Sequence, residues 1–96
     1  MIVIYAGTIT MDPEVRDRYV AIRLEQMSKY RSEPGVLGYA ITADPVDPGV
    51  VNVFECYADE EALAAHQAVH ERNLEVPVTS YDLYRYDATR APLQVS

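Results

Sequence analysis

Four clusters of helix starters and chain breakers cut this sequence into six elements, and they constrain its fold more than any other feature. The first cluster is Met11-Asp12-Pro13-Glu14. Asp12 can cap a helix, Pro13 suits its first position and Glu14 complements its dipole. The preceding run, Ile2 to Thr10, is rich in β-branched residues and free of proline, so it reads as a strand covered on both faces. The second cluster, Glu33-Pro34-Gly35, stops the helix near Ser32 and turns the chain. The third, Asp44-Pro45-Val46-Asp47-Pro48-Gly49, is a hairpin loop between two extended runs, Val36 to Ala43 and Val50 to Tyr57. The fourth centres on Asp59, which caps a helix from Glu60 to about Asn73 with acids in its first turn. Leu74 to Thr79 is an irregular connector carrying Pro77, and Ser80 to Tyr86 is the last strand.

The order is therefore β-α-β-β-α-β. Two right-handed βαβ units sharing one sheet give an α+β fold, the ferredoxin-like split βαβ arrangement with a four-stranded antiparallel sheet. Residues 1–96 form a single domain, with a core over 2–87 and a tail over 88–96. Leu37, Tyr39 and Ile41 are expected to share one face of the second strand. Both helices cover one sheet face. The other face stays bare and exposes an apolar patch. A chain of 96 residues buries only about two-thirds of its unfolded surface, so a second copy docked on that face would complete a thin core. A homodimer through the sheet face is the expected assembly.

Charge excludes several partners. Eight Lys plus Arg against fifteen Asp plus Glu leave a net charge of −7, with no basic cluster, so a nucleic-acid backbone would be repelled. No apolar run approaches the ~20 residues of a membrane helix, and the first residues lack the features of a signal peptide. A cytoplasmic protein is expected. Cys56 is the single cysteine, which removes intrachain disulfides and CxxC sites, and an inert buried thiol is its default role. Aromatic usage is lopsided, with eight Tyr, one Phe and no Trp. Tyrosine suits half-wet surfaces, interfaces and pockets.

At about 100° per residue, Ala62, Leu63, His66, Val69, His70 and Asn73 share one arc of the second helix, opposite Glu60, Glu61, Glu71 and Arg72. Both histidines thus meet the sheet side. They are either core histidines satisfied by a tyrosine hydroxyl or a carbonyl, or polar groups of a pocket between helix and sheet. A metal site is the third reading, but the run lacks the glutamate of HExxH and offers no third ligand beyond Asn73. No metal is assigned. On the first helix, Val15, Tyr19, Val20, Ile22, Met27 and Tyr30 form a broad apolar arc with Arg16 and Arg23 inside it. Those arginines are expected to snorkel at its edge, with Arg23 also carried as a contact for an anionic substrate. In the third strand Val51, Val53, Glu55 and Tyr57 share one face and Asn52 lies on the other. Glu55 needs a partner such as Arg31, Arg85 or a backbone amide. No GxSxG elbow, P-loop or dinucleotide fingerprint is present.

The stretch Glu33-Pro34-Gly35-Val36-Leu37-Gly38-Tyr39 resembles the E-P-G-x-x-x-Y signature of antibiotic biosynthesis monooxygenase domains, of the dimeric α+β barrel superfamily. The segment from Val53 to His66 is similar to their second signature, E-x-W-x-s-x-e-A-l-x-x-H, with Tyr57 in place of its tryptophan, and His70 supplies the usual further histidine. The resemblance implies a homodimer whose sheets pack face to face, with a pocket between helices and sheet in each subunit. It also implies a cofactor-free monooxygenase that converts a small aromatic phenol or hydroquinone to a quinone with dioxygen. On that reading His66 is the polar pocket residue and base, His70 its support and Tyr57 a ring-stacking wall, with Asn73, Asn52 and Arg23 as further substrate contacts. Two other readings share the fold: a non-catalytic dimeric module binding a small ligand or serving an assembly, and an isomerase or lyase acting on a polyketide-like ring. The haem-degrading branch carries an asparagine in the first strand and a tryptophan in the second helix, where Gly7 and His66 stand here.

Overall fold

The computed structural model describes residues 1–71 and 74–94. Its elements are β1 (Ile2–Thr10), α1 (Pro13–Arg31), β2 (Val36–Ala43), β3 (Val50–Tyr57), α2 (Glu60–Val69) and β4 (Ser80–Ala88). The strands form one antiparallel sheet in the order β2-β3-β1-β4. This is the ferredoxin-like α+β fold. The starters work as their chemistry dictates: Asp12 accepts the Glu14 amide at 2.8 Å and Asp59 accepts that of Ala62 at 2.9 Å. Pro34 and a left-handed Gly35 (φ 81°) end the first helical segment. A Cβ at Gly35 would lie 2.5 Å from the Ala62 Cβ, so glycine lets this turn press against α2.

Burial follows the strand period on the helix-covered face. Val3 and Ile9 of β1, Tyr39 and Ile41 of β2, and Val51, Val53 and Tyr57 of β3 are all buried. Tyr19, Met27 and Tyr30 of α1 close most of this core, while Ala62 and Leu63 of α2 pack with Val3 and Tyr57 in a second cluster. Leu37 departs from the expected face. A bulge between Val36 and Gly38 makes it the extra residue and leaves it half exposed. Gly7 has φ 149°, and a Cβ there would stand 2.0 Å from the Asp82 carbonyl oxygen of β4. The asparagine of the haem-degrading branch therefore has no room at this position.

Two boundaries differ from the sequence reading. The last strand continues through Ala88 because residues 87 and 88 still pair with Val3 and Ile2. The second helix ends at Val69, with His70 already extended (φ −71°, ψ 127°). Tertiary contacts draw the chain out: the Glu71 amide donates to the Tyr30 hydroxyl, and the Glu71 carbonyl accepts from Arg23. Val69 is consequently exposed rather than inward. No helix among the described residues is long and apolar enough to cross a membrane.

Arg16 and Arg23 of α1 do not snorkel at an edge. Arg16 donates from one nitrogen to the carbonyls of Asp47 (2.9 Å), Val50 (3.2 Å) and Asp44 (3.4 Å), tying the hairpin loop to α1. Arg23 is buried, with 5% of its surface exposed. Glu55 takes neither Arg31 nor Arg85. Arg31 donates to the Tyr39 carbonyl, and Arg85 pairs with Glu60 and Asp87.

Candidate functional site

The α1 and α2 helices, the helix-side sheet face and residues 74–78 line a half-open cavity of about 500 Å³. The close turn at Gly35 brings Glu33 to α2, where its Oε1 lies 2.7 Å from His66 Nδ1. A carboxylate only accepts, so Nδ1 carries the proton, and in the neutral imidazole the lone pair falls on Nε2. Among the described residues, His66 Nε2 is buried without a hydrogen-bond partner. Glu55 Oε1 stands 3.9 Å from it, beyond hydrogen-bonding range. A second carboxylate thus faces the free nitrogen without occupying it.

Aromatic rings fix the imidazole. Tyr30 meets it edge-on, with centroids 4.8 Å apart, and Tyr39 and Tyr57 lie at 5.4 and 5.5 Å. His70 stacks obliquely at 5.0 Å. With 2% of its surface exposed, His66 has little rotational freedom. The Tyr57 hydroxyl donates to Glu55. Burial, followed by that bond and the Glu55 charge, pushes the Tyr57 phenol well above its ordinary range. Burial and the Glu55 charge do the same to Tyr39, against a smaller lowering effect of Arg23.

These two shifts give a pH dependence with a definite sign. The folded state keeps protons that the unfolded chain releases near 10.0, so stability present below that pH is lost as pH rises above it. In an ultraviolet tyrosinate titration, Tyr39 and Tyr57 ionise only with unfolding, and Tyr39→Phe and Tyr57→Phe each remove one phenol from the late step. A native protein with all eight tyrosines ionised at about pH 11 would refute this.

His66, His70 and Arg23 come together on the cavity wall. Tyr57 does not line it. Fully buried behind His66 and Glu55, its ring supports the wall instead of stacking on a ligand. Asn52 is on the opposite sheet face, where its amide donates to Asp44 at 2.9 Å. That bond and two loop amides hold Asp44 below the usual carboxylate range. Asn52 therefore serves the hairpin. Asn73 lies outside the described residues. Among the described residues, no cluster of three or more His, Cys, Asp or Glu could hold a metal ion.

Residue-by-residue reading missed Glu33 and Glu55 as the two carboxylates of the histidine. Each stands inside a signature, Glu33 opening E-P-G and Glu55 opening the second. Their pairing with the histidine was the signal that could have been used. The two signatures, distant in sequence, meet at His66.

Element order and a cavity between one sheet face and two helices define a ferredoxin-like α+β protein with an internal ligand-sized site. The antibiotic biosynthesis monooxygenase family model matches residues 1–71, and the chain belongs to that family. A Bacteroides thetaiotaomicron protein bearing the family name is 32% identical, with a TM-score of 0.72 over 93% of this chain and 89% of its own. The Deinococcus radiodurans protein of that name superposes with a TM-score of 0.80 over 100% of both chains at 20% identity. One from Caulobacter crescentus gives 0.73 at 23% identity, over 93% of this chain and 90% of its own. At such identities the last two likenesses concern the fold. No curated protein matches the sequence.

Proposed function

We propose that this protein is a cofactor-independent monooxygenase that oxidises a small aromatic phenol or hydroquinone to a quinone with dioxygen. The observation that carries this reading is the Glu33-oriented His66, whose Nε2 is left without a hydrogen-bond partner in a tyrosine-lined cavity. Such a nitrogen can accept a phenolic proton, and the Glu33 carboxylate stabilises the imidazolium that results. The electron-rich phenolate supplies one electron to dioxygen, and the phenoxyl and superoxide radicals combine at a ring carbon that bears hydrogen, para in a phenol and ortho in a hydroquinone. Loss of water from the peroxide gives the quinone (a hydroxyquinone from the hydroquinone), so one ring and one dioxygen yield one quinone and one water. The cavity volume falls within the ~300–1,000 Å³ of small-molecule sites. A cytoplasmic setting accords with the acidic charge and the single cysteine.

Oxygen-electrode measurements on a panel of hydroquinones, naphthols and anthrone-like phenols test the reading. We expect uptake with quinone formed in equal amount. If no electron-rich ring supports uptake, the non-catalytic ligand-binding module takes its place.

The reading includes a homodimer through the bare sheet face. Phe54 and Tyr84 both oppose Ala6, Tyr86 opposes Ile4, and all three aromatic side chains are 44–58% exposed on that face. Such a patch favours burial against a second copy. Phe54→Asp is expected to weaken self-association by about 2 kcal/mol or more, read by sedimentation. An unchanged association state would refute the sheet-face dimer.

A further inference from the structure

We infer that the cavity takes a ring-bearing anion whose charged oxygen is received by Arg23. This rests on the ligand site proposed above and names the class of compound it selects. Arg23 is buried and borders the cavity. Its Nε donates to the Tyr19 hydroxyl (3.3 Å), and its Nη1 to Gln26 Oε1 (2.9 Å) and the Glu71 carbonyl (2.8 Å). Every one of these partners is neutral. Among the described residues no carboxylate pairs with it. The nearby Glu71 carboxylate is engaged by Gln26, and Glu55 by Tyr57.

A guanidinium cannot shed its proton to escape burial, and a buried cation is costly unless an anion compensates it. Among the described residues Arg23 finds neither exit. Its two Nη2 hydrogens have no acceptor among the described residues. The three neutral tethers hold the guanidinium plane, so those hydrogens are preorganised for an incoming acceptor. With Nε and Nη1 already engaged, a bidentate fork is not offered. The free nitrogen suits one oxygen of a carboxylate or enolate carried on the ring apart from the phenol that His66 deprotonates. Arg23, Tyr39 and His66 line the same cavity. A ligand held at Arg23 through its charged oxygen therefore shares that space with His66.

The protein carries a net charge of −7, so its overall field disfavours anions, and a preference for them would have to arise locally. The test compares 1-naphthoate with 1-naphthamide, which share a shape and differ in charge. Wild-type protein is expected to bind naphthoate roughly tenfold to hundredfold more tightly. Arg23→Gln is expected to abolish the preference by lowering naphthoate affinity far more than naphthamide affinity, and Arg23→Lys to restore part of it. Equal affinity for both probes, binding of neither, or a preference that survives in Arg23→Gln would overturn the inference. The wild-type comparison decides even if the variants fail to fold. Because affinity is the readout, selective naphthoate binding without oxygen uptake counts against the oxygenase alone. Oxygen uptake without charge preference counts against Arg23 alone.

Discussion

Replacing His66 with glutamine or alanine is expected to lower oxygen uptake by roughly 10²–10⁴-fold, the usual contribution of a positioned general base. The turnover number should fall more than substrate affinity, because the imidazole acts on a proton transferred in the reaction. Glu33→Gln should produce a smaller loss, since a neutral amide can still accept from Nδ1 but stabilises imidazolium poorly. Adding Glu33→Gln to His66→Ala should cost almost nothing more. Groups that act as one unit are non-additive, and Glu33 reaches the substrate only through His66. Additive losses in the double variant would refute the pair. Full activity in His66→Gln would refute the base.

The largest structural effect is expected at Tyr57. None of its surface is exposed, it packs with Val3, Ala62 and Leu63, and its hydroxyl holds Glu55 beside the site. Tyr57→Ala should destabilise the fold by about 3–5 kcal/mol, as for other large aromatic deletions. For a chain of this size that lowers Tm by roughly 12–40 °C. Tyr57→Phe keeps the ring and should cost about 1–3 kcal/mol, the penalty for leaving Glu55 without its donor. Chemical denaturation of both variants separates the two contributions. A Tyr57→Ala protein within about 1 kcal/mol of wild type would show that the ring is not a core element.

The fold was legible because its signals are local. Asp12, Pro13, Pro34, Gly35 and Asp59 act within a turn of their own positions, and the alternation of Val51, Val53 and Tyr57 needs only the strand period. Where tertiary contacts decide, sequence failed. Nothing near Val69 marks a helix end, since the groups that draw the chain out of α2 belong to Tyr30 and Arg23 of α1. Leu37 was misplaced because a bulge shifts the period by one residue. The face of Asn52 was read correctly, but its Asp44 partner, eight residues away across the hairpin, was not. His66 was legible as an inward residue of a helical arc, and His70 reaches the same cavity although it stands past the helix end. Glu33 was hidden from periodicity because it lies in a turn, and only the docking of that turn on α2 brings it to the histidine.

The connector between α2 and β4 has a consequence for how this protein can diverge. Leu74, Val76 and Val78 border the cavity, alternating with exposed Glu75, Pro77 and Thr79. The stretch alternates like a strand without belonging to the sheet, and its Thr79 amide is returned to β1 at the Thr10 carbonyl. The polar candidates sit on α1, α2, the turn between α1 and β2, and β3, so the row supplies none of them. Its three apolar side chains also pack against the core that holds Tyr19, Tyr30 and Tyr39. A change of size at 74, 76 or 78 would therefore be expected to alter one wall of the chamber and the packing beneath it together, so that pocket shape and stability are coupled along that short apolar row.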